Sequence, residues 1–447
     1  MEEAFFKSLF DLASTTIKIL QSHGKENQVH FFDRVYFKYN FELFEYNKGV
    51  NRCSYSKDFF TKKEWHIIEQ SIFIEKYIEP IEEFKSSFSL LSHRNKLNDG
   101  AVTHNLQLFC LSIIKDYPKI PTESLVAKNI STFVKDLDGE TNNIETEVWL
   151  DGISTESEIE ICDFVFLRSP IKQDFERESP VDELIGSYKS SELHFPKSIL
   201  KITTRGISYK NSLSKLTELL LLFRLYKLGS VVDIKYFSTN DSIINKSYNY
   251  KNNTNNSAHY SYYLAKQEFS FFRDFIVKLL SPITTIYNNS LSSHNFILLS
   301  IGHFEEALIK FSSYERSIAS AISSLETLLF KDNEESELSH RLSQRMAVIL
   351  RAYNFPPIEV YNKLVTAYRI RSKYVHGSPI DDKEKESIHL LTQTILNYTR
   401  IIIVIMVQLC EKIEKDSLIG KIDNSLLDEK ANDRLKSILS ELIVPIS

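Results

Sequence analysis

Tyr368-Arg369-Ile370-Arg371-Ser372-Lys373-Tyr374-Val375-His376-Gly377-Ser378 is the most informative stretch of this 447-residue chain. It sets a permanent cation, Arg371, and a titratable imidazole, His376, five positions apart at the end of an amphipathic run, then follows them with glycine. Upstream, Pro357 is a favoured first-turn residue, so the spacing predicts a helix from Pro357 to Gly377. Its inward face is expected to carry Tyr361, Leu364, Val365, Tyr368, Ser372 and Val375. Five residues at about 100° each place Arg371 and His376 about 140° apart on the helical wheel. They share one groove only if the last turn loosens, which Gly377 would ease, or if a second copy of the helix completes the site.

Working outward, the helical period persists on both sides. Phe304, Ala307, Leu308, Phe311, Ile318, Ile322, Leu325 and Leu329 predict one long helix with a continuous buried stripe. Ser336–Tyr353 is the second helix and Pro357–Gly377 the third. The fourth starts after Pro379-Ile380-Asp381-Asp382 and runs to about Lys415. Together they predict a four-helix bundle with short connections, and everything from about Lys266 onward is read as helical.

The first half is mixed. Residues 2–20 have helical spacing, and Arg34–Leu43 alternates, with Val35, Phe37, Tyr39, Phe41 and Leu43 on the side expected to face a core. A strand pair is predicted at Glu145–Leu150 and Glu158–Leu167, separated by the turn Asp151-Gly152. Leu213–Leu228 reads as an apolar helix ended by Gly229 in a left-handed cap, and Val231–Phe237 as a strand. Thr239–Ser257, rich in Asn and Ser, reads as a solvated loop. The expected fold class is therefore α+β: an N-terminal mixed α/β region with short strands at 1–258, in a sensor or regulatory role, then a C-terminal all-α domain at 259–447.

Composition narrows the classes. With 43% hydrophobic and 25% charged residues the chain is an ordinary globular one. A net charge of −5 gives no global positive field, so any nucleic-acid contact must rest on a local patch. Met1-Glu2-Glu3-Ala4-Phe5-Phe6-Lys7 lacks the basic start of a secretory signal, no apolar run near eighteen residues stands out, and Ile401–Met406 is too short to span a bilayer. Cys53, Cys110, Cys162 and Cys410 have no spacing suited to zinc or redox exchange. The expectation is a cytoplasmic protein with reduced thiols, no cofactor, no metal and no membrane partner.

The residue types at Arg371 and His376 suit RNA cleavage without a metal. RNA carries its own nucleophile, the 2′-hydroxyl, so cutting requires a group that moves protons near neutral pH and a cation that holds the phosphate as charge builds. Imidazole and guanidinium fill those roles, and Ser372 can orient either of them. Between Lys331 and Gly377, the basic Lys331, Arg341, Arg345, Arg351, Lys363, Arg369, Arg371 and Lys373 outnumber Asp332, Glu334, Glu335, Glu337 and Glu359, a local surplus suited to a phosphate backbone.

A family likeness rests on Tyr314-Glu315-Arg316-Ser317-Ile318, on Ser324-Leu325-Glu326-Thr327-Leu328-Leu329, on Glu337-Leu338 with Arg341 and Arg345, and on Tyr368–Ser372 with Val375-His376-Gly377. Over about residues 296–415 the chain resembles the Apea-like branch of the HEPN superfamily. Upstream, His194–Leu200 and Leu219–Gly229 resemble, less specifically, the segments that precede such domains. The resemblance implies a HEPN four-helix bundle, often a homodimer, and a metal-independent endoribonuclease with Arg371 and His376 as the catalytic pair. Ser372 maps to the motif's polar position, where Asn or Asp is more usual in the wider superfamily. Ser372, Glu326, Arg345 and Tyr368 are then supporting residues, and Arg369 and Lys373 are substrate-binding. It further implies RNA as substrate, a phage or protein trigger, and a bacterial toxin or antiviral role.

Blander readings exist for each feature. Arg371 and His376 could serve only the helix terminus and its dipole. Glu326 is either a buried arginine partner or a solvated carboxylate, and Arg345 and Tyr368 read more readily as structural supports than as catalysts. Asp136-Leu137-Asp138-Gly139-Glu140 reads as a plain turn rather than a calcium loop. Arg34–Leu43 reads as a core strand rather than a base-stacking one. At the level of function the alternatives are a non-catalytic module binding nucleotide, RNA or a partner helix, and a purely structural assembly protein.

Overall fold

The structure is a computed structural model describing residues 2–25, 32–46, 50–64, 99–114, 119–137, 142–175, 179–180, 196–206, 210–240, 242–243, 248–251, 258–288, 295–332 and 334–446. Its organising sheet begins with β3 (Asn142–Asp151). Ile144, Val148 and Leu150 of β3 are fully buried, with Thr146 on the same face, because strand side chains alternate and every second residue faces the core. β8 (Ser198–Gly206) flanks it on one side, with Val148 opposite Leu200. β9 (Val232–Asn240) flanks it on the other, with Val148 opposite Tyr236. β10 (Tyr248–Lys251) extends the sheet beyond β9; β6 (Val165–Arg168) and β5 (Ile159–Cys162) extend it beyond β8, and every pairing is antiparallel. Between β3 and β5, β4 (Ile153–Thr155) pairs in parallel with β11 (Tyr262–Leu264).

Several expectations change here. Glu158–Leu167 is not one strand opposite β3 but a hairpin of its own, β5 and β6, turning at Asp163-Phe164 with Phe164 at φ 62°. Tyr248–Lys251, expected in a loop, pairs with β9, while the rest of Thr239–Ser257 is strand as far as Asn240, then Ser242-Ile243, with the remainder outside the described residues. β1 (Phe32–Tyr46) and β2 (Val50–Glu64) form a long antiparallel hairpin joined at one edge by β7 (Ser179–Pro180). Where their side chains are described, the face is the reverse of the expected one: Val35 is 43% exposed, whereas Tyr36 is buried and stacked on Phe60. Asp136 and Leu137 do not begin a turn. They end helix α3 (Glu123–Leu137), where the Asp136 carboxylate accepts from Ser242 Oγ and the Ile243 N–H, and residues 138–141 lie outside the described set. With α1 (Glu2–Lys25) and α2 (Asp99–Ile114), α3 encloses a small separate core around Leu12, Phe109 and Phe133.

The larger core continues from the sheet into the helices. α5 (Lys210–Tyr226) follows the short α4 (Lys172–Phe175) in chain order and is buried from Leu219 to Tyr226 apart from a 7% exposed Arg224. A helix covered on all sides reads as an uninterrupted apolar run, which is what Leu219–Leu222 is. Gly229 does not supply a left-handed cap. It is glycine because a Cβ there would stand 2.5 Å from the Tyr262 ring. α6 (Phe269–Asn288) packs on α5, with Tyr226 edge-on to Phe272 at 4.7 Å.

The long first bundle helix is two helices, α7 (Asn295–Ile309) and α8 (Tyr314–Leu329). Ser313, in an extended conformation, accepts the Arg316 N–H and starts α8 afresh, the role that Ser favours at a helix N-terminus. α9 (Leu338–Arg351), α10 (Pro357–Val375) and α11 (Asp382–Leu409) follow, the last shorter than expected, and then α12 (Lys415–Asn424) and α13 (Glu429–Ser440). The chain is thus α+β, with a C-terminal helical cluster in which α8 packs on α7, α10 and α11. Within α11, Glu384–Leu409 is long and apolar enough to cross a membrane, contrary to the sequence reading, and 72% of its most apolar window is buried inside the fold. The apolar residues are separated by Thr392, Thr399 and Arg400, which are themselves buried.

Candidate functional site

α10 carries the motif. Its buried stripe is Val360, Leu364, Ala367 and Ile370, not the expected set: Tyr361, Val365, Tyr368 and Ser372 lie at the edges and Val375 is 58% exposed. Leu364 is common to both sets, and Ala367 and Ile370 are buried where Tyr368 and Val375 were expected to be. Tyr361 instead shares a 2.8 Å hydrogen bond with His340 Nδ1 of α9.

Arg371 leaves this stripe at its rim. Its Nη2 donates to Glu326 Oε2 of α8 at 3.3 Å, with the guanidinium side chain 29% exposed and the carboxylate 18%. The Tyr368 ring lies 5.6 Å from the guanidinium carbon, close enough for a cation–π contact. Burial, and then the adjacent Glu326 carboxylate, push the Tyr368 phenol up to about 12. Glu326, Tyr368 and Arg371 thus form one linked group, and Glu326 resolves as an arginine partner.

His376 stands apart from that group. It is the C-cap of α10, exposed, and its ring has no hydrogen-bond partner among the described residues. The helix end is not loosened. The Ser378 N–H donates to the Lys373 carbonyl at 2.8 Å and the Gly377 N–H to the Tyr374 carbonyl at 3.2 Å, with Gly377 at φ 67°. This paired closure through a left-handed glycine is the Schellman arrangement. Helical geometry therefore holds through Val375, and within the chain Arg371 and His376 leave α10 about 140° apart. Ser372, between them on the wheel, is half-buried, and its carbonyl accepts the His376 N–H at 3.1 Å.

The remaining named residues are occupied. Arg369 pairs with Glu384, and Lys373 Nζ reaches Glu384 at 2.9 Å and Asp381 at 3.0 Å. Those two carboxylates hold the Lys373 ammonium above its ordinary range, Glu384 first. Sequence reasoning missed this pair, although Asp381 and Glu384 have the spacing of a helix-start capping box: the Glu384 carboxylate also accepts the Asp381 N–H, at 3.4 Å. Arg341 faces Glu334 and Lys363 faces Glu359, so the basic surplus is largely matched by carboxylates and is not a bare positive track. Arg345 belongs elsewhere. It is 2% exposed and donates all five N–H groups, to both oxygens of Glu334, both of Asp423 and the Leu329 carbonyl, at 2.6–2.8 Å. That is a structural clamp between α9, the segment after α8, and α12.

Comparison with known protein families, with curated proteins and with solved structures finds no match to this chain.

Proposed function

We propose that this chain is a HEPN-type endoribonuclease that cuts RNA without a metal, in which two copies of α10 assemble the site as a homodimer. The observation that carries the reading is the pairing on one helix of a solvent-reaching guanidinium, beside Glu326 and Tyr368, with an exposed imidazole at the hydrogen-bonded C-cap. In this mechanism Arg371 of one copy holds the scissile phosphate, and its guanidinium stabilises the charge that accumulates on the phosphoryl oxygens. His376 of the other copy removes the 2′-hydroxyl proton. The 2′-oxygen attacks phosphorus, the 5′-oxygen leaves with a proton, and a 2′,3′-cyclic phosphate remains. The closed last turn of α10 favours this two-copy form over one within a single chain. A bacterial toxin or antiviral effector role, released by a phage or protein trigger acting through the N-terminal region, follows from the same reading.

The test is purified protein with RNA in excess EDTA, after any trigger-dependent silence has been excluded by toxicity in a bacterial host. Cyclic-phosphate ends that vanish in His376→Ala are expected; equal cleavage by His376→Ala refutes the reading. The carboxylate matching of Arg369, Arg371 and Lys373 favours one second reading, a non-catalytic binding module. In that case RNA is retained intact, Arg371→Ala weakens binding, and His376→Ala does not.

A further inference from the structure

A group of rings lies where α7 breaks into α8. Phe311, in the break, stacks face to face on His259 with ring centroids 4.0 Å apart and planes at 10°. Tyr314, the first residue of α8, stands edge-on to Phe311 at 5.0 Å, and His389 of α11 lies 6.4 Å beyond it. Core aromatics are normally covered, yet here His259 and His389 are exposed while Phe311 and Tyr314 are half-buried. The cluster therefore presents ring surface to solvent.

Beneath it lies an unusual polar group. Tyr260 is 91% buried, its ring edge-on to His259 at 4.6 Å, and its hydroxyl has no hydrogen-bond partner among the described residues. Buried hydroxyls without partners are rare because each forfeits its hydrogen bond to water. Burial, and then the neighbouring Tyr314, push this phenol up to about 12, so it keeps its proton at neutral pH. Two residues along α8, Arg316 pairs with Glu306 at 2.8 Å. Glu306 first, and more weakly the Tyr374 phenol of α10, hold that guanidinium above its ordinary range. On the last turn of the motif helix, Tyr374 is 44% exposed.

We propose that the His259, Phe311 and Tyr314 rings form a stacking subsite for an unpaired RNA base, with the Tyr260 hydroxyl as its hydrogen-bonding group. Unpaired bases stack on aromatic side chains, whereas a duplex keeps its bases stacked on one another. The substrate is then single-stranded RNA. The choice of RNA as ligand rests on the ribonuclease reading; the stacking geometry does not.

The experiment measures binding of a single-stranded oligoribonucleotide carrying 2-aminopurine, in EDTA, against the corresponding duplex. The full-length protein carries His376→Ala so that the RNA stays intact. Strong fluorescence quenching and preference for the single strand are expected. His259→Ala and Phe311→Leu should each weaken binding about tenfold, the size of one lost stacking contact. Tyr314→Phe should retain it, and Tyr260→Phe should reduce discrimination among the four bases. Thermal melting confirms that each variant is folded, and His259, being exposed, is the variant that tests the subsite if Phe311→Leu does not fold. Unchanged affinity in folded His259→Ala, or equal binding of duplex, overturns the subsite. Cleavage by the otherwise unaltered protein that His376→Ala does not abolish would remove the nuclease reading and leave the stacking result standing.

Discussion

At the scale of single residues, Arg345 and Arg371 show how burial divides one side-chain type between two jobs. Arg345 has every donor satisfied and two carboxylates bound, so truncating it removes the guanidinium partner of Asp423 and leaves Glu334 with only its longer pairing to Arg341. Arg345→Ala is expected to destabilise the fold by about 3–5 kcal/mol in urea unfolding, and Arg345→Lys should fail to rescue, since one ammonium cannot serve two bidentate carboxylates. The Arg345 guanidinium holds the Glu334 carboxyl down at about 2. A carboxylate with a depressed folded pKa contributes its stability above the ordinary value of about 4.5 and loses it as the pH falls towards 2. Acid unfolding between those limits should therefore be steeper for the wild type than for Glu334→Gln.

At the scale of elements, the ends of helices were harder to read than their middles. The periodicity of α8, α9 and α10 was legible because packed helices repeat their apolar residues every three to four positions. The break at Lys310–Ser313 was not: Phe311 keeps the apolar rhythm although it stacks on His259 outside any helix. The buried stripe of α10 was misplaced for a related reason, since Ala367 is small enough to be overlooked beside Tyr368 yet is the fully buried one of the two. Arg371 and His376 themselves were found from the sequence; Glu384 was signalled only by its capping-box spacing from Asp381, and Tyr260 and His259 depend on contacts across the fold that no local spacing encodes. Two outcomes belong at this scale. Gly377→Ala meets open space yet must hold φ 67°, so it should cost about 1 kcal/mol in thermal unfolding. Glu384→Gln should release Arg369 and leave Lys373 held by Asp381 alone, so RNA affinity is expected to rise and to become more salt-dependent; unchanged affinity would show that these cations do not reach the substrate.

At the scale of the whole molecule, the sheet and the helical cluster are joined by buried cations rather than by apolar contact alone. Arg224 donates to the Val231 carbonyl and pairs with Glu305 of α7. Arg400 of α11 is fully buried and has no carboxylate partner among the described residues. It donates to the Leu225 and Tyr226 carbonyls at the end of α5, to Asn397 Oδ1 and to the Pro445 carbonyl. Burial lowers its pKa to about 10, so it remains charged at neutral pH, neutralised only by dipoles, including the negative end of α5. Arg400→Met keeps the volume but orphans those carbonyls, and a loss of about 3–5 kcal/mol is expected from denaturant titration. During synthesis the same arrangement imposes an order of events. The carbonyls of α5 leave the ribosome 174 residues before the guanidinium that binds them, and Pro445 emerges 45 residues later still. The nascent chain therefore cannot fasten α5 to α11 through the full Arg400 hydrogen-bond set until Pro445 has also emerged.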